Sequence, residues 1–230
     1  MYLSWVENLL SIQLQSPIDM VVIAPDGKKI GKNFETGEEY NEIPLAFYSG
    51  YQTDDEYITI PNPLNGEYKI EIQGTENGGK YGVITSFITE ETLATSEIIG
   101  TTEPSQITNL SVSVDNQNPE NIETEKEVTL EILLNDINKS YELGWITDKK
   151  LKDKLVKKVE KIIKIEDKIG KTEEKNKKNK DKKIEKMVDR IDKKAAQALI
   201  IELKGYKKDK MNEQAYNLIK YDLEYLINNN

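Results

Sequence analysis

Hydrophobic residues recur along this chain at two spacings, and the spacing changes once. Up to Val114 they fall at every second position. Leu10, Ile12 and Leu14 alternate with Ser11, Gln13 and Gln15, and Ile18, Met20 and Val22 follow beyond Ser16-Pro17. Alternation of this kind puts one residue set on each face of a strand. The clearest stretch is Ile58 to Gly74, ITIPNPLNGEYKIEIQG. Its two alternating runs are interrupted by Pro61, Pro63, Asn65 and Gly66, which predicts a β-hairpin with one buried face. Ala24-Pro25-Asp26-Gly27 and Asn77-Gly78-Gly79 predict further turns. Lys28 to Lys32 reads as a short strand, and Tyr81, Val83, Thr85 and Phe87 mark a longer one. Ile98, Ile107, Leu110, Val112 and Val114 mark one or two closing strands. Residues 33–57 show no alternation and read as a long loop. About seven to nine short strands with regular turn signals predict an antiparallel β-sandwich, Ig-like or jelly-roll-like.

Asp115 to Glu125, DNQNPENIETE, is polar and reads as a linker. Beyond it the period becomes helical. Val128, Leu130, Leu133, Leu134, Ile137 and Tyr141 share one face, and Gly144 ends that helix. Thr147 predicts the N-cap of a second helix, with Asp148 in its first turn. Leu151, Leu155, Val159, Ile162, Ile163 and Ile169 form its apolar face, and Gly170 its end. Ile184, Met187, Val188, Ile191, Ala195, Ala198, Leu199 and Leu203 predict a third helix that stops near Gly205. Asn212 predicts the cap of a fourth, carrying Ala215, Leu218, Ile219, Leu223 and Leu226. The chain therefore reads as α+β, with a β-sandwich over residues 1–120 and a small helical bundle over 121–230.

Charge supports that division. Residues 1–120 carry 5 Lys and 19 Asp+Glu, so 5 − 19 = −14; the remainder carries 27 Lys+Arg and 22 Asp+Glu, so 27 − 22 = +5. The acidic half disfavours nucleic acid and anionic membrane surfaces. Lys171 to Lys183 has seven Lys, but Glu173, Glu174 and Asp181 dilute them and no aromatic is interleaved, so it reads as a solvated face. The sequence has no Cys and no His. That excludes thiol nucleophiles, disulfides, zinc–thiolate sites and every mechanism with a histidine base. No run is long and apolar enough to predict direct membrane insertion, and MYLSWVENLL lacks the basic start of a signal peptide.

Several short motifs carry a resemblance. Ser16-Pro17-Ile18-Asp19, Pro25-Asp26-Gly27-Lys28, Asn41-Glu42-Ile43-Pro44, Phe47-Tyr48-Ser49-Gly50 and Ile60-Pro61-Asn62-Pro63-Leu64 with Gly66-Glu67-Tyr68 occur in that order. Together they resemble the non-catalytic β-sandwich accessory modules found beside lipase, peptidase or von Willebrand factor A domains in large exported or cell-surface microbial proteins. Tyr141-Glu142-Leu143-Gly144 with Ile146, and Lys207-Lys208 with Met211, Glu213 and Ala215, resemble the helical tail that often follows them. The resemblance covers most of residues 10–90 and, more loosely, 128–227. It implies an extracellular or cell-surface location, neighbouring domains as partners and no active site.

The candidate binding residues lie near the long loop. Tyr40, Tyr48, Tyr51 and Tyr57, with Phe47, could stack on sugar rings; the alternative is that Phe47 and Tyr48 pack the loop onto its sheet. Asp54, Asp55 and Glu56 are hard oxygen donors of the kind calcium takes; the alternative is a solvated acidic loop and no cofactor. Glu38-Glu39 is a carboxylate pair, the minimum for glycosidic acid–base chemistry. The expected function is a non-enzymatic accessory or stalk module that spaces or presents a neighbouring domain. A carbohydrate- or protein-recognition module using the 40–57 loop is the alternative, and a carboxylate-based hydrolase the third reading.

Overall fold

The computed structural model describes residues 6–15, 17–52, 55–173, 181–206 and 209–229, with side chains for all of these except 167–173 and 181–192. The chain is α+β, with eleven strands in two antiparallel sheets followed by four helices. It divides into two compact units, Met1–Glu127 and Val128–Asn230.

The strands are β1 (Leu9–Gln15), β2 (Ile18–Ile23), β3 (Lys29–Lys32), β4 (Glu39–Asn41), β5 (Phe47–Tyr48), β6 (Asp55–Pro61), β7 (Gly66–Gly74), β8 (Gly79–Ile88), β9 (Leu93–Thr102), β10 (Ile107–Val114) and β11 (Thr124–Lys126). The first sheet is five-stranded, in the order β5-β6-β1-β8-β9; the second is six-stranded, β11-β10-β7-β2-β3-β4. Each sheet buries one residue set of the alternation. Leu10, Ile12 and Leu14 are buried on β1, as are Ile58 and Ile60 on β6. Tyr68, Ile70 and Ile72 are buried on β7, as are Leu110, Val112 and Val114 on β10.

Ile58 to Gly74 is not a hairpin. β6 pairs with β1 in the first sheet, whereas β7 pairs with β2 and β10 in the second. The intervening segment carries the chain from one sheet to the other. Pro61 and Pro63 lack the N–H a ladder needs, and Asn62 adopts a left-handed φ of 46°, which asparagine tolerates. The Asn62 N–H donates to Asn8 O at 2.7 Å, and the Leu64 N–H donates to the Tyr68 hydroxyl at 2.8 Å. Ser16-Pro17 likewise separates β1 in one sheet from β2 in the other. The loop at 33–57 and the linker at 115–125 also require correction. The first contains β4, β5 and the start of β6, and the second ends in β11, which pairs with β10 through Leu110↔Lys126 and Val112↔Thr124.

The helices are α1 (Leu130–Glu142), α2 (Lys149–Glu173), α3 (Asp181–Lys204) and α4 (Glu213–Asn228). They share one core that includes Leu133, Ile137, Leu155, Val159, Leu199, Leu203, Ile219 and Leu223. Thr129 caps α1 and Asn212 caps α4, each side chain accepting from the N–H three residues on. Gly144, at φ 71°, ends α1 in the left-handed turn that glycine permits. The N-cap of α2 is Asp148 rather than Thr147. The Asp148 carboxylate accepts from Lys150 N at 2.8 Å and Leu151 N at 3.1 Å, while the Thr147 hydroxyl donates to Asp209 O at 3.0 Å. A carboxylate also complements the helix dipole better than a hydroxyl does. α2 continues through Gly170 to Glu173. Residues 174–180 of the Lys-rich stretch, and the side chains of Ile169, Ile184, Met187, Val188 and Ile191, lie outside the described residues.

Candidate functional site

The 40–57 region is built from two short strands and the alternation of β6. Glu56, Ile58 and Ile60 are buried, while Asp55 and Tyr57 are exposed. β5 pairs with β6 so that Tyr48 stands opposite Ile58 and Phe47 opposite Thr59. Directly opposite residues share a face, so Tyr48 turns in and Phe47 turns out. The Phe47 and Tyr57 rings lie 5.6 Å apart at 37°, and they are 52% and 44% exposed.

The four candidate tyrosines therefore do not converge in one groove. Tyr48 donates its hydroxyl hydrogen bond to Glu56 Oε2 at 2.8 Å. Tyr51 donates to Gly37 O at 2.8 Å, and Lys32 Nζ sits 4.3 Å from its ring centroid. Tyr40, on β4, has Lys29 Nζ 5.1 Å from its ring. Tyr57 pairs with Phe47 on the outer face. The acidic trio is divided as well. Asp55 and Glu56 are strand neighbours on opposite faces, so one ion could not take both carboxylates, and Asp54 lies outside the described residues. Among the described residues, no group of three or more Asp or Glu is arranged to hold a metal ion. Glu38 and Glu39 are both exposed.

A cluster that crosses from one sheet to the other takes their place. Glu56 on β6 is 1% exposed and Asp19 on β2 is 5% exposed. Asp19 lies close enough to Glu56 to raise its carboxyl electrostatically. Lys32 Nζ, at the end of β3, donates to Asp19 Oδ2 at 2.5 Å. The result is two bonded pairs, Tyr48–Glu56 in the first sheet and Asp19–Lys32 in the second, in electrostatic contact with each other. Burial dominates the electrostatics. Loss of water, partly offset by the Tyr48 hydrogen bond and Lys32 and reinforced by neighbouring Asp19, pushes the Glu56 carboxyl up to about 8. At neutral pH Glu56 therefore favours the protonated acid. Burial and the Glu56 charge push the Tyr48 phenol above its ordinary range.

Sequence reasoning reached Glu56 and Tyr48 but missed Asp19 and Lys32. A signal was present: Asp19 is the one charged residue in the run Ile18 to Ile23, all but the last of which are buried. A charge inside an apolar strand needs a partner, and Lys32 supplies it.

In the helical unit, a cavity of about 580 Å³ lies between the end of α3 and the start of α4, lined by Tyr206, Met211 and Tyr216 among others. No family model, curated protein or solved structure matches the chain.

Proposed function

We propose that this chain is a non-enzymatic accessory or stalk module of an exported or cell-surface protein, spacing or presenting a neighbouring domain. In this reading the two sheets pack face to face as an Ig-like or jelly-roll-like β-sandwich, and the helical unit that follows in the chain is a small bundle. The observation that carries the reading is the inward direction of the polar chemistry. Asp19 and Glu56, the buried acids of the sheet unit, are tied to Lys32 and Tyr48, each within its own sheet, instead of facing solvent. A hydrolase would need two carboxylates facing a substrate cleft. The shared hydrogen bond between the Thr85 and Thr124 hydroxyls, on β8 of one sheet and β11 of the other, supports the face-to-face packing. The motif resemblance supports the context of an exported microbial protein.

One observation favours a recognition module instead. The exposed Phe47–Tyr57 pair offers adjacent aromatic rings, which suit stacking on a sugar. A broad glycan panel probed with the labelled chain, with Phe47→Ala/Tyr57→Ala as control, separates the two readings. A blank panel from folded protein is the outcome expected of a spacer. Signal on one sugar class, lost in the double variant, would replace the spacer with a glycan-binding module.

A further inference from the structure

We propose that Lys32 and Asp19 join covalently, through an intramolecular isopeptide bond formed by the folded chain itself, with Glu56 as the proton shuttle.

Three features on these residues carry the proposal. The first is proximity. Lys32 Nζ lies 2.5 Å from Asp19 Oδ2. A nitrogen that close to one carboxyl oxygen stands within roughly 3.5 Å of the carboxyl carbon, the separation of a near-attack pair. The fold maintains it, because β2 and β3 are paired through Val21↔Gly31 and Ile23↔Lys29, which places both groups at the open end of one hairpin. Gly31 is required there: a Cβ would lie 2.4 Å from Met20 O. The second is exclusion of water. The side chains of Lys32 and Asp19 are only 21% and 7% exposed. Shielding from solvent limits the access of water, the reagent of the reverse hydrolysis. The third is a third group in contact. Glu56 is buried beside Asp19, its carboxyl raised by burial and by that neighbour, so an acid stands next to the reacting pair.

The step balances without a further reagent. The Lys32 ammonium gives one proton to the Asp19 carboxylate, leaving an amine and a carboxylic acid. The Nζ lone pair attacks Asp19 Cγ, and the new N–C bond makes a tetrahedral carbon. Glu56 gives its proton to the departing hydroxyl, the C–O bond breaks, and one water leaves. The nitrogen returns a proton to Glu56, which ends as it began. An ammonium and a carboxylate have become an amide and water, with no change of oxidation state. In a chain without cysteine, this bond would be a covalent staple between strands.

Intact-mass spectrometry of the full folded chain tests this directly. The expected mass is lower than the sequence mass by one water, with a branched peptide joining Asp19 to Lys32 after digestion. Lys32→Arg and Asp19→Ala should each restore the full mass. Glu56→Gln, the neutral isostere of the protonated acid, keeps the packing but cannot shuttle a proton, so most of that protein should remain at full mass. Folded wild-type chain at the full sequence mass would overturn the proposal, as would a water loss mapped to other residues. A Glu56→Gln chain that cross-links as completely as wild type would overturn the role of Glu56. If that variant does not fold, the wild-type mass still decides whether the bond exists.

Discussion

Gly100 stands opposite Tyr81 across the β8–β9 ladder, and the phenol fills the place a side chain at position 100 would take. A Cβ there would lie 2.3 Å from Tyr81 Cζ and from its hydroxyl oxygen. Tyr81 is among the largest fully buried side chains, so the ring has no open space to move into. Gly100→Ala is therefore an overpacking substitution and should destabilise the sheet unit by about 1–3 kcal/mol. The readout is a lower denaturant midpoint with an unchanged slope. An unchanged midpoint would mean that the ring can step aside.

The raised Glu56 carboxyl predicts a pH dependence of definite sign. Its native pKa, about 8, lies above the ordinary 4.5, so between those values the native chain binds the extra proton. Stability from this group is then full below about 4.5 and falls as pH rises through 8. Burial is the largest cause of the shift, so the trend holds whether or not Asp19 is joined to Lys32. Melting temperature should fall by several degrees from pH 5 to pH 9, and Glu56→Gln should remove most of that slope. Glu202 gives the opposite sign in the helical unit, because Lys154 and Lys158 hold its carboxyl down at about 2. Its contribution disappears only as pH falls through that value. Equal alkaline slopes in wild type and Glu56→Gln would place the Glu56 carboxyl in water.

Asn116 ties together three parts of the first unit. Its Nδ2 donates to Asn65 Oδ1 at 2.7 Å and to Pro63 O at 2.9 Å. Its backbone N–H donates to Asn65 Oδ1 at 2.8 Å, and its Oδ1 accepts from Asn8 Nδ2 at 2.8 Å. One amide thus holds the β6–β7 crossing against the entry to β1 and the exit from β10. Asn116→Ala should cost about 1 kcal/mol per lost bond at most, since the site is partly wet. The sharper expectation is local: protease cleavage near Pro63–Asn65 should accelerate more than global stability falls. Cleavage unchanged from wild type would show that the two prolines alone hold the crossing.

These residues also show what was legible in the sequence. Period two located the strand interiors, because burial of one face requires alternation, and period 3.6 with Gly144, Gly205 and Asn212 located three helix boundaries closely. Pairing was not legible. Ile58–Ile60 and Tyr68–Ile72 have the pattern of a hairpin, but a strand's face pattern does not specify its neighbour. Pro61, Asn62 and Pro63 suit a crossing between sheets as well as a tight turn. Short edge strands were hidden too, since two or three residues such as Phe47-Tyr48 or Thr124–Lys126 cannot display a period. The tyrosines were visible as a cluster, yet their directions depend on the β5–β6 register. Asp19 and Lys32 lie far enough apart in sequence that only the β2–β3 pairing brings them together.

The last prediction concerns where the chain can be cut. The core of the helical unit is drawn entirely from residues beyond 127, and the buried strand residues lie before it. Two separate cores imply two separately stable pieces. The composition change at residue 120 is the wrong place to divide them, because β11 begins at Thr124. β11 covers the edge of β10, its Thr124 hydroxyl bonds that of buried Thr85, and its Thr124 N–H donates to Ser96 Oγ at 3.0 Å. A piece ending at 120 would leave the Thr85 hydroxyl without that partner and the β10 edge open, a loss of about 1–3 kcal/mol for each buried polar group so exposed. Residues 1–127 should therefore melt cooperatively near the corresponding transition of the full chain, and residues 1–120 should melt lower or aggregate. Residues 128–230 should retain helical circular dichroism alone. Equal stability of the 1–120 and 1–127 pieces would show β11 to be peripheral, and a 1–127 piece that does not fold would show that the two units depend on each other.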